Sequence, residues 1–97
     1  MSTFKTQDMS FSAYLLSTRQ LTLLCIEVPF GKRQAFMVFS DDKDIGPSLE
    51  TEFLNGASAP AADFHQKLRY LRKKIDHALS DASVRDKAAA QAAVTNA

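Results

Sequence analysis

Apolar residues recur along the chain at several spacings, and each spacing predicts a different element. In DMSFSAYLLS, residues 8–17, Phe11, Tyr14 and Leu15 stand at i, i+3 and i+4. This is one face of a short helix, with Asp8 or Thr6 placed to cap it. In LTLLCIEV, residues 21–28, the apolar run is short and reads as a strand. Alternation puts Thr22, Leu24, Ile26 and Val28 on one side, and Leu21, Leu23, Cys25 and Glu27 on the other. Pro29 and Gly31 break the run, with Lys32 and Arg33 at the tip of the turn. QAFMVFS, residues 34–40, returns as a second strand, with Ala35, Met37 and Phe39 opposite Phe36 and Val38. The two strands predict an antiparallel hairpin.

Both faces of that hairpin are largely apolar. A two-stranded sheet is marginal by itself, and its edges are open to further pairing. Either another chain extends the sheet or helices wrap both sides; homodimerisation through the hairpin is the expectation.

After the hairpin, Asp41 and Asp42 offer caps to a helix whose regular part begins near Pro47, proline being favoured in a first turn. Leu49, Phe53 and Leu54 form its apolar stripe, and Asn55-Gly56 stops it. Across residues 61–79, Phe64, Leu68, Leu71, Ile75 and Leu79 recur at steps of three and four, the longest apolar stripe in the chain. Asp63 suits the positive end of this helix. From Ser80 onward the stripe fades into alanine and polar residues. Alanine favours helix, but little remains there to pack.

These elements predict an α+β fold: short helix, antiparallel β-hairpin and two C-terminal helices, with the sheet extended by dimerisation. Residues 1–80 form a single domain, and residues 81–97 an alanine-rich flexible or frayed helical tail.

Composition changes this picture little. The 97 residues are 45% hydrophobic and 9% aromatic, enough for one small core. Net charge is only +1, yet its distribution is uneven. Residues 41–62 carry one cation and five anions, and residues 63–97 carry seven cations and four anions. One cysteine, Cys25, requires no oxidising compartment and is expected as a buried thiol. The N-terminal stretch MSTFKTQDMS has no apolar signal core, and no apolar run reaches membrane-spanning length. A cytoplasmic protein without a membrane partner is the expectation.

The strongest chemical signal is KLRYLRKKI, residues 67–75. Five of the eight positions from Lys67 to Lys74 are cations. At about 100° per residue Lys67 and Lys74 flank the apolar stripe on one side and Arg72 on the other, with Arg69 and Lys73 on the outward face. Lys67, Arg69, Arg72, Lys73 and Lys74 would then hold the phosphates of DNA or RNA, with salt-dependent affinity. Tyr70 would stack on a base or anchor an interface, and Lys32 and Arg33 would add a second contact. Two other readings stand beside this one. The cations are a solvated face or pair with the acidic segment, or they meet an acidic protein surface. No helix-turn-helix or zinc-finger spacing precedes them.

Other chemistry is sparse. His65 and His77 lie twelve residues apart on one helix and cannot share a metal within one chain. Asp41, Asp42 and Asp44 do not continue into a calcium loop. There is no glycine-rich phosphate loop, and spacing assembles no nucleophile with a base. No catalytic residue, metal ligand or cofactor is expected, and the chain is read as a non-enzyme.

The chain resembles a family of small domains from bacteria and their phages, known only as domains of unknown function. The likeness lies in D-x-x-x-x-x-Y-L-L at Asp8–Leu16, FMVF at Phe36–Phe39, FLNG at Phe53–Gly56, and L-x-x-L-x-x-K at Leu68–Lys74. It implies a small α+β domain of phage or mobile-element origin and transfers no active site. The leading expectation is a nucleic-acid-binding accessory or regulatory factor using the basic helix. The alternative is a protein-protein adaptor or inhibitor using the hairpin edge or the acidic segment Asp41, Asp42, Asp44, Glu50 and Glu52.

Overall fold

A computed structural model describes residues 2–95 and gives the order β1 (Thr3–Thr6), α1 (Met9–Thr18), β2 (Thr22–Glu27), β3 (Phe36–Ser40), α2 (Gly46–Leu54) and α3 (Ala61–Thr95). The architecture is α+β, with one antiparallel sheet in the order β1-β3-β2. The expected hairpin is β2–β3. Its third strand comes from the chain's own N-terminus, where Phe4 pairs with Phe39 and Thr6 with Met37. One edge of the expected hairpin, that of β3, is therefore covered by residues 3–6 of the same chain.

Central position explains the burial of β3. Met37 and Phe39 are buried on the face that meets the helices. Val38 points to the opposite face and is buried there as well, flanked by Lys5 and Cys25 in the register. An ion pair from Lys5 Nζ to Glu27 Oε2, 3.2 Å long, joins the two outer strands across β3. Both partners are about half exposed, so the pair contributes little, about 0–1 kcal/mol.

Strict alternation fails in β2. The register shifts between Leu23 and Cys25, so Leu23 pairs with Phe39 and Ile26 with Met37, both on the core face. Leu24 is the extra residue of a bulge, which leaves its side chain 47% exposed. The same shift turns Cys25 to the outer face, where its thiol is exposed rather than buried as expected.

Helix α1 begins where the sequence placed it. Asp8 Oδ1 accepts from the Phe11 N–H at 3.0 Å, satisfying one of the free donors of the first turn. Residues 11–15 are all buried, so α1 is enclosed on every side rather than on one face. Its serines tolerate this because their hydroxyls donate to carbonyls four residues back, Ser12 to Asp8 and Ser17 to Ala13, each at 2.8 Å. Phe11 forms the hub of an aromatic cluster, with Phe4 edge-on at 5.9 Å and Phe53 at 5.5 Å between centroids.

Helix α2 starts at Gly46 with proline in its first turn. Asp41 holds that start, accepting from the N–H of Ile45 at 2.8 Å and of Gly46 at 2.7 Å. Leu49 and Phe53 face the core, whereas Leu54, expected in the same stripe, is 73% exposed. Position 54 lies about 100° further round the helix than Phe53 and so leaves the buried face.

In α3 four of the five residues of the predicted stripe, Phe64, Leu68, Leu71 and Ile75, meet the core cluster, with Leu71 fully buried. The fifth, Leu79, is half-buried and lines the groove beside the β2–β3 loop. The helix passes Ser80 without a break and continues to Thr95. Beyond Ser80 it is met by the β2–β3 loop. Arg85 Nη1 donates to the Val28 carbonyl at 3.1 Å, and Asp86 Oδ2 accepts from the Gly31 N–H at 3.0 Å. Ala82, 5% exposed, is small enough to let the chain approach. Residue 80, the expected edge of the domain, thus lies inside a continuous helix whose next two turns are tied to the hairpin. Residues 96 and 97 of the expected tail lie outside the described residues.

Candidate nucleic-acid interface

Packing fixes how α3 presents its charges. With Leu71 at the centre of the buried face, about 100° per residue puts Arg72 on one flank and Lys67, Tyr70 and Lys74 on the other. Arg69 and Lys73 lie farthest from the core, each about 160° from Leu71 and on opposite sides. Arg69, Arg72, Lys73 and Lys74 are exposed, and Lys67 is half-buried at the margin. Among the described residues, none of these five cations has an ion-pair partner within 4.0 Å. Tyr70 is 48% exposed, with Lys74 Nζ 5.4 Å from its ring centroid. That is cation–π distance and leaves much of the ring open.

The acidic segment does not neutralise this surface. Asp42, Asp44 and Glu52 are exposed and Glu50 is half-buried, and no ion pair joins them to α3 among the described residues. Asp41 belongs elsewhere. It is 2% exposed with both carboxylate oxygens bonded to the α2 backbone, so it is a structural cap and not the surface contact that was expected.

Lys32 and Arg33 do sit at the hairpin tip, both exposed. They stand well along α3 from residues 67–74, bordering a groove of about 350 Å³ that Leu79, Ala82, Asp86 and Lys87 complete. Gly31 gives the turn its form with φ +74°, a left-handed conformation that glycine adopts without strain.

Three residues escaped the sequence reading: Arg85, Asp86 and Lys87. Their one signal was charge within an alanine-rich segment. Arg85 is committed internally, its guanidinium bonded to Val28 and Asp86 and 5.6 Å from the Phe30 ring centroid. The Asp86 carboxyl is held below the ordinary carboxylate range, first by the hydrogen bond from Arg85, with help from the Gly31 N–H. Lys87 is exposed.

His65 and His77 are exposed on α3, about 18 Å apart along its axis. Among the described residues, no three histidines, cysteines or acids converge as a metal site would need. No helix there is long and apolar enough to cross a membrane.

Compared with family models, curated proteins and solved structures, the chain matches none. The residues on which a likeness to small bacterial and phage domains was expected to rest are mostly packing and turn positions. Asp8 caps α1, Tyr14 and Leu15 are core, Met37 to Phe39 are the buried centre of the sheet, and Gly56 has φ +98°. Such positions carry a fold and not a binding chemistry.

Proposed function

We propose that this chain is a non-enzymatic nucleic-acid-binding accessory or regulatory factor, and that α3 is its contact surface. The observation that supports this most is the set of cations between Lys67 and Lys74, displayed by a packed helix and, among the described residues, without an ion-pair partner. Cations so placed are available for phosphates, whose contacts release condensed counterions. Tyr70, half open beside Lys74, supplies an aromatic face for a base or sugar. The reading needs only one copy of the chain, and the compartment it assumes is the cytoplasm.

Arg69 and Lys73 are the discriminating positions because both are exposed and neither touches the core. Arg69→Glu with Lys73→Glu is expected to abolish binding to DNA and RNA while the helical circular dichroism stays unchanged. Binding that survives this double reversal unaltered would take the function away from α3.

A further inference from the structure

We infer that the phosphate-binding surface extends along α3 to a second cationic contact, built by Lys87 with Lys32 and Arg33, and that the ligand is a duplex spanning both. This rests on the reading of α3 just proposed and adds to it a residue, a ligand form and a length.

Helical phase and loop docking carry the inference together. Arg69 and Lys87 are eighteen residues apart, five full turns, so they lie on one line of the helix surface about 27 Å apart. Arg72 stands on the same flank. The β2–β3 loop is brought to the far end of this line by the hydrogen bonds from Gly31 to Asp86 and from Arg85 to Val28. Lys32 and Arg33 consequently border the same groove as Lys87. All three are exposed, and none is ion-paired within 4.0 Å among the described residues. Asp86, the acid in that groove, is already engaged by Arg85 and the Gly31 N–H.

Asp76 falls on the same flank between the two groups, so they act as separate contacts and not as one strip. Their spacing is set by the helix and costs nothing to order on binding. A stiff duplex offers phosphates at a matching fixed spacing, whereas a flexible single strand must first lose conformational freedom. At 3.4 Å per base pair, 27 Å corresponds to about eight base pairs.

The test uses the full chain with DNA stems of about four, eight and sixteen base pairs, each closed by a hairpin loop so that short stems stay paired. Affinity is expected to step up once the stem reaches about eight base pairs. A variant with Lys32→Gln, Arg33→Gln and Lys87→Gln should lose that step. Its plot of log K against log salt on the longest stem should be shallower by about 2.7, the share of three phosphate contacts. Stems that bind equally at every length, with the triple variant keeping the wild-type slope, would overturn the inference and leave the proposed function standing. No binding to any stem at low salt would overturn the proposed function itself, and this inference with it.

Discussion

Replacing Asp41 with alanine removes two hydrogen bonds from the start of α2. The carboxylate accepts from Ile45 N–H at 2.8 Å and from Gly46 N–H at 2.7 Å, and it is 2% exposed. Loss of a side-chain cap of this kind costs about 0.5–2 kcal/mol. The Gly46 N–H lies in a buried residue, and leaving such a donor without a partner adds about 1–3 kcal/mol. Together these give about 3 kcal/mol, a large share of the roughly 5–15 kcal/mol that holds a domain folded. For a chain of this size that lowers Tm by roughly 12–24 °C. Asp41→Asn keeps the shape and one carbonyl acceptor, so its loss should be about half as large. Thermal and urea unfolding by circular dichroism measures both. An Asp41→Ala protein within about 0.5 kcal/mol of wild type, the range of ordinary surface changes, would refute the capping role.

Gly46→Ala should destabilise the fold by about 1–3 kcal/mol, since overpacking forces neighbours to shift. The added Cβ would lie 2.5 Å from the Phe4 ring and 2.8 Å from Asp41 Oδ2, and denaturant unfolding reads the loss. Asp86→Asn tests the loop clamp through pH. The Asp86 pKa is depressed in the folded state, so its contribution is fully present above the ordinary value of 3.8 and is lost as pH falls through the folded value. Wild type should therefore exceed Asp86→Asn in stability at neutral pH, and the gap should close below about pH 4. A gap that stays constant into acid would mean that the carboxylate charge does not hold the loop.

Elements that depend on near neighbours were legible in the sequence. The Asp8 cap, the turn at Pro29 to Arg33, the proline start of α2 and the four-turn stripe of α3 are all local patterns, and each lies where its spacing puts it. What escaped depends on distant partners. Thr3–Thr6 is four residues long, too short for a periodic signal, and becomes a strand because β3 offers it an edge. The bulge at Leu24 inverts the expected faces of β2 because pairing to Phe39 and Met37 outweighs alternation. The continuation of α3 past Ser80 is secured by residues 55 and 57 positions away. The same holds for the candidate site. Arg69, Arg72, Lys73 and Lys74 were found from composition and helical phase, whereas Asp41 changed role once its burial was visible. Lys87 joins the proposed contact only because the loop docks beside it.

The most direct measurement is a salt titration of binding to short duplex DNA, with single-stranded DNA and RNA in parallel. If α3 grips phosphates, log K should fall linearly with log salt with a slope between about −4.5 and −7, set by five to eight contacts. No binding at the lowest salt, or binding indifferent to salt, would contradict the central claim.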